Sequence, residues 1–181
     1  MIARIALLIA LTGATAPSSW AQSDVQRCSG ETRQVLAAAL QYAVGDVPDD
    51  YSAERIDPKS PVIADYGILR RNGKIYIRDS VDNPSCRVDK SVLPRSTHVT
   101  FTLVGADQLR EVARPYTDGI AYVRAIEMRV SGDEAEILLG VALQLAPGDS
   151  RGLTCCCGGR MVLRRVSGKW MFEEWRSVLC A

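Results

Sequence analysis

The stretch IAYVRAIEMRVSGDEAEILLGVALQL (residues 120–145) decides the fold, because it holds two long β-rich runs joined by a tight turn. The Gly-Asp dipeptide between the runs is a typical turn sequence. A two-residue turn at this place predicts that Met128 faces Ile137 and that Ile126 faces Leu139, on one apolar face. The stretch therefore predicts an antiparallel hairpin with one side buried.

Two further hairpins are predicted by the same reasoning. Residues 160–166 and 169–178 flank a Ser-Gly turn, which sets Leu163 opposite Phe172. Upstream, the runs 62–70 and 74–79 flank Asn-Gly, the strongest short hairpin signal. That turn predicts the pairs Leu69–Tyr76 and Ile68–Ile77.

Helical periodicity is clearest near the start of the predicted domain. Ser29 is a good N-cap, Gly45 a good terminator, and apolar residues recur at helical spacing between them. A polar, proline-containing loop is predicted over residues 46–61. A strand over 99–103 and a short helix over 106–113 follow. The predicted fold class is α+β, with an N-terminal helix packed on a curved antiparallel β-sheet.

The first 21 residues have the pattern of a cleaved secretory signal peptide. Arg4 precedes an apolar run, and Ser19 and Ala21 are small residues at the −3 and −1 positions of a cleavage site. The apolar run is shorter than the roughly 20 residues of a membrane-spanning helix. We therefore expect a single exported domain over residues 22–181, periplasmic or secreted, with no membrane span after cleavage.

The charge balance of the predicted mature chain argues against a nucleic-acid partner. The signal contains one charged residue, Arg4, so residues 22–181 carry equal numbers of basic and acidic side chains. A neutral chain without a basic stripe lacks the electrostatic footprint of phosphate binding.

Six cysteines in an exported chain predict disulfides before any other role. If the Ser-Gly turn at 167–168 holds a simple register, Cys180 lies across from Cys155, and a slip would place Cys156 or Cys157 there instead. Cys28 and Cys86 then bond to each other or separately to the remaining members of the triplet. The competing interpretation is a thiolate metal or redox site at Cys155–Cys157, although neighbouring residues of a strand point to opposite faces. We expect no metal and no cofactor.

Tyr122 and Arg124 are the candidate ligand-pocket residues. Alternation places them on the same face as Met128, with Arg124 opposite Val141, and a buried arginine needs a partner. The first interpretation is structural: the Arg124 side chain extends to solvent at the sheet edge, or it pairs with a carboxylate such as Glu174. The second is a pocket mouth that holds an anionic or hydroxylated ligand.

No catalytic set can be assigned from the sequence. His98 is the single histidine, and alternation places it on a polar strand face. Asp65, Tyr66, Tyr116 and Asp118 are acid–base candidates whose spacing does not distinguish them from turn residues.

The closing run RMVLRRVSGKWMF (residues 160–172), together with the element order, resembles the nuclear transport factor 2-like superfamily. The resemblance implies a cone-shaped α+β fold with an internal pocket, which some members use for isomerase, dehydratase or hydrolase chemistry. No catalytic residue of such members matches a position here.

The sequence thus favours a non-catalytic exported module that binds a small ligand or a protein partner and is stabilised by disulfides. The alternatives are a small isomerase- or hydratase-like enzyme and, more weakly, a thiolate metal or redox protein. A broad sheet face is also compatible with a homodimer.

Overall fold

The computed structural model describes residues 26–45, 66–149 and 156–180. These residues form a helix packed on a mostly antiparallel, mixed sheet of seven strands, so the predicted α+β class is confirmed. The strands are β1 Lys74–Asn83, β2 Cys86–Arg87, β3 Thr100–Val104, β4 Ile120–Ser131, β5 Glu134–Gln144, β6 Cys157–Val166 and β7 Lys169–Cys180. The predicted signal peptide and the loop over 46–61 lie outside the described residues.

Two of the described helices are close to their predicted positions, and the third lies where a strand was predicted. They are α1 Gly30–Leu40, α2 Tyr66–Leu69 and α3 Ala106–Ala113, with a π-helical turn Gln41–Gly45 and a 3-10 turn Lys90–Val92. The Ser29 hydroxyl accepts a hydrogen bond from the Thr32 N–H at 3.1 Å, as expected of an N-cap. Tyr42 in the π-helical turn stacks on Phe172 of β7, with ring centroids 3.7 Å apart. This contact fixes the end of α1 against the sheet.

The sheet has the order β2–β1–β4–β5–β6–β7, and β3 also pairs with β1. The strands β4 to β7 are antiparallel neighbours, whereas β1 runs parallel to both β3 and β4. Positive φ angles at Gly132, Ser167 and Gly168 produce the two tight turns of the antiparallel half.

The hairpin predicted around Asn72-Gly73 is wrong in its first arm. The turn itself is present, since Arg71 and Lys74 exchange two backbone hydrogen bonds of 2.9 Å. However, the described part of the predicted strand is the helix α2, so Leu69–Tyr76 and Ile68–Ile77 are not pairs. Both edges of β1 are instead occupied by β3 and β4, which the local turn signal does not reveal.

The predicted register of β4 and β5 is wrong upstream of a β-bulge at Ile126. Met128 faces Ile137 as predicted, but Leu139 pairs with Ala125 rather than with Ile126. One extra residue reverses the alternation of faces. Upstream of the bulge, Arg124 therefore lies opposite Gly140, not Val141, and its face is opposite to that of Met128.

Two bulges in β7 shift the last hairpin in the same way. Leu163 faces Phe172 as predicted, but the extra residues Glu173 and Arg176 move the later pairs by two positions. Cys180 consequently lies across from Cys157 instead of Cys155.

Two apolar clusters cover the two faces of the sheet. The main core joins α1 to alternate residues of the strands, including Val123, Ile137 and Leu139, all of which are fully buried. The second cluster lies under α3 and contains Ile120 and Tyr122 from β4. Because neighbouring strand residues point to opposite faces, α1 and α3 lie on opposite sides of the sheet.

The face of β4–β7 that points away from α1 carries a network of ion pairs. Arg160 contacts Glu127 at 2.9 Å and Glu136 at 3.6 Å, and Arg176 contacts Glu136 and Glu174. The hydrogen bond from Arg160, and then the charge of a second arginine, hold the pKa of Glu127 below its ordinary value despite partial desolvation. Such exposed pairs contribute little individually to stability.

Candidate ligand-binding site

The best-defined polar arrangement is a clamp built by Arg71 at the N-terminal ends of the parallel strands β1 and β4. Its guanidinium donates two hydrogen bonds to the Asp118 carboxylate, at 2.9 and 3.0 Å, and a third to the Gly119 carbonyl at 3.1 Å. The Arg71 Cζ also lies 4.3 Å from the centroid of the Tyr116 ring. A bidentate pair with a stacked ring holds the guanidinium in one orientation.

Each side of the clamp is positioned by a turn. Arg71 directly precedes Asn72 and Gly73, whose positive φ angles form the tight turn into β1. Asp118 precedes Gly119, which has a φ of +77° and leads into β4. A Cβ at Gly119 would lie 2.6 Å from the Gln144 carbonyl oxygen, so this close approach requires glycine.

A cavity of about 390 Å³ opens beside the clamp. Its walls combine the apolar side chains of Ile68, Ala121 and Leu143 with the charged side chains of Arg70, Arg71 and Asp118, and backbone of Gly67 and Gly119 completes them. The volume falls within the range of small-molecule pockets. Ala121 and Leu143 belong to the main core, so the cavity lies on the α1 face of the sheet.

The electrostatics of the clamp favour a charged guanidinium. The hydrogen bond to Asp118 raises the pKa of Arg71, against partial desolvation. Outside the clamp, in the cluster under α3, burial raises the pKa of Tyr76, with a further contribution from Tyr116.

The structure separates the two predicted pocket residues, Tyr122 and Arg124, from this cavity. Tyr122 is 7% exposed and packs in the cluster under α3. Arg124 donates a hydrogen bond to Asp82 at 3.0 Å, so its observed ion-pair partner is Asp82 and not Glu174. Neither residue lines the Arg71 cavity. Their role in ligand binding stays a prediction.

The structure places the acid–base candidates in different surroundings. Tyr116 and Asp118 are brought together by Arg71, as ring and carboxylate of the clamp. His98 lies in an exposed bend before β3, where its backbone N–H donates to the Ser96 hydroxyl at 3.2 Å. Asp65 lies outside the described residues, and Tyr66 is the first residue of α2.

Sequence reasoning missed Arg70 and Arg71. Both directly precede the Asn-Gly turn, and that turn was the available signal, because it fixes where the flanking residues point. The prediction of an ordinary strand that ends at Arg70 concealed them. Only the position of α2 and of the Asp118 loop shows that they border a cavity.

Of the predicted disulfide candidates, Cys28 and Cys86 bond to each other, with Cα atoms 4.9 Å apart. The bond links the residue before the Ser29 cap of α1 to β2, which resolves one alternative that the sequence left open. Cys156 and Cys157 are also disulfide-bonded, so neither sulfur is a thiolate, and this favours the scaffold interpretation over a thiolate metal site. Cys155 lies outside the described residues. Among residues 26–45, 66–149 and 156–180, no group of three His, Cys, Asp or Glu side chains is arranged to hold a metal ion.

Comparison with known proteins adds no relative: no family model, curated protein or solved structure matches this chain. In the described part of the chain, none of the helices has the length and apolar character needed to cross a bilayer.

Proposed function

We propose that this chain is an exported, disulfide-stabilised binding module that holds a small amphiphilic anion in the cavity beside Arg71. The observation that carries the proposal is the cavity itself, in which two arginine side chains and an apolar wall line the same space. Such a wall accepts a short hydrocarbon chain, and the arginine-rich rim accepts a carboxylate. The Cys28–Cys86 bond supports an oxidising location.

Preorganisation supports binding rather than catalysis. Arg71 is already held by Asp118, Gly119 and Tyr116, so a ligand meets a rim that needs little ordering. The carboxylate of Asp118 is engaged by the same clamp. The proposed role of the clamp is to shape the cavity, while the hydrophobic contact supplies much of the affinity.

Sodium octanoate is a suitable probe, measured by isothermal titration calorimetry. At about 0.5 kcal/mol for each of its roughly ten non-hydrogen atoms, the expected Kd is about 0.2 mM. Octylamine, with the same chain and the opposite charge, is expected to bind at least about tenfold more weakly. Equal binding of the two probes would contradict an anion site.

A matched pair of variants locates the binding. Ile68 is 51% exposed and lines the cavity, whereas Val166 is 54% exposed and lies at the distant β6–β7 turn. Ile68→Asp is expected to abolish octanoate binding, because it removes apolar wall and repels the carboxylate. Val166→Asp is expected to leave binding unchanged, and an equal effect of the two substitutions would refute the site.

A further inference from the structure

A second recognition surface lies on the opposite side of the sheet, between β3 and α3. It is a groove of about 680 Å³ with predominantly apolar walls. Much of its lining comes from Tyr76, Leu103, Val104 and Val112. On its helical side lie Asp107 and Glu111. The groove shares no lining residue with the Arg71 cavity.

The outer edge of β3 determines what kind of molecule fits the groove. β3 pairs in parallel with β1, from Thr100 opposite Lys74 to Val104 opposite Arg78. The Thr100 N–H donates to the Gly73 carbonyl at 2.9 Å, and alternate residues of a strand direct their backbone groups to the same side. Phe101 and Leu103 therefore direct their N–H and C=O groups away from β1. Among the described strands, β1 is the one partner of β3.

Among the described strands, β3 and β7 both lie at an edge of the sheet, and they differ in their suitability for pairing. β7 is interrupted by bulges at Glu173 and Arg176, and bulged, charged edges resist the addition of a strand. β3 holds an uninterrupted register over all five residues. A helix beside an unbulged edge strand is the arrangement with which some domains bind peptides by strand addition.

We propose that the β3–α3 groove binds an extended peptide of a partner protein. The peptide would add a strand to β3, exchange hydrogen bonds with Phe101 and Leu103, and place apolar side chains from alternate positions into the groove. Asp107 forms an ion pair with Arg110 and Glu111 with Arg114, so the helical rim carries no unpaired acidic charge, and recognition rests on the edge of β3 and the apolar walls. A second copy of this chain is a poorer occupant, because an antiparallel β3 would present the small side chain of Thr102 at the centre of the groove.

The test uses the full mature chain and the acetylated, amidated peptide KTLTLTK, in which leucines and lysines share one face. In an antiparallel addition, the threonines lie opposite Phe101 and Leu103 and carry the amides that face β3. Methylation of the threonine amide nitrogens is expected to weaken binding at least about tenfold, since it removes these donors. Methylation of the leucine amide nitrogens, which face solvent, is the matched control and is expected to change affinity by less than about threefold. Equal effects of the two methylations would overturn the proposal, as would the absence of binding by the unmodified peptide.

Two protein variants place the peptide in the groove. Val112→Arg puts a long charged side chain into the groove, and Val178→Arg makes the same exchange on β7 at a position that is 41% exposed. With both variants folded by circular dichroism, Val112→Arg is expected to lower peptide affinity at least about tenfold and Val178→Arg to leave it unchanged. If the free chain is instead a dimer that Val112→Arg dissociates, the occupant is a second copy and the peptide proposal is wrong.

Discussion

Removal of the Cys28–Cys86 bond is expected to lower the free energy of unfolding by about 4 kcal/mol in the double variant Cys28→Ala/Cys86→Ala. The two cysteines are 58 residues apart, and the chain-entropy relation for a loop of this length gives about 14 cal/mol/K, or about 4 kcal/mol at 25 °C. For a chain of this size, such a loss corresponds to a decrease in Tm of about 8–16 °C. Urea unfolding followed by circular dichroism measures the free energy, and calorimetry measures Tm.

The slope of the urea transition distinguishes the cause of the loss. Both cysteines are nearly buried, at 4% and 6% exposure, so alanine also leaves small voids in the core. Voids weaken the native state and leave the m-value unchanged, whereas loss of a cross-link expands the denatured state and raises the m-value. A decrease in the free energy of unfolding of less than about 1 kcal/mol, with an unchanged m-value, would refute the conclusion that this bond stabilises the fold by linking α1 to β2.

Three further perturbations test the fold and the site. Leu139→Ala, at a fully buried position, is expected to cost about 2–5 kcal/mol in urea unfolding, whereas Val166→Ala at an exposed position is expected to cost less than about 0.5 kcal/mol; similar costs would contradict the core assignment. Gly119→Ala forces a side chain into a φ of +77° against the backbone of β5, so we expect a loss of about 1–3 kcal/mol together with weaker octanoate binding, and wild-type stability would refute the strain argument. The hydrogen bond from Arg160 lowers the pKa of Glu127 in the folded chain below its ordinary value of 4.5. The ionised carboxylate therefore contributes to the free energy of unfolding above pH 4.5, and this contribution is lost as the pH falls below that value. Glu127→Gln should therefore flatten the acid limb of the stability–pH profile, and an unchanged slope below pH 4.5 would contradict this role.

Local signals in the sequence were sufficient for much of the fold. The Ser29 cap, the helix over 106–113 and the Gly132 turn each arise from interactions within a few residues, and all three are present. The bulges at Ile126, Glu173 and Arg176 were not predictable, since an extra residue in a strand leaves no mark in an alternating pattern of mixed apolar and charged residues.

The parallel pairing of β1 with β3 and β4 could not be predicted from the sequence either. The Asn-Gly turn at 72–73 is a strong hairpin signal and is formed in the structure, yet β1 pairs with β3 and β4. Such pairings join residues far apart in sequence, and no turn residue encodes them. The Arg71 cavity depends on the same long-range contacts, because it joins the end of α2 to the loop before β4.

We propose the cavity beside Arg71 as the binding site for a small amphiphilic anion. The most direct test is a titration of ¹⁵N-labelled mature chain with sodium octanoate, followed by amide chemical shifts. Binding in the cavity predicts saturable shifts at the amides of Gly67, Arg70, Arg71 and Gly119, which surround it. Shifts confined to residues around Val112 and Leu103, or no saturable shift at any of these amides, would contradict it.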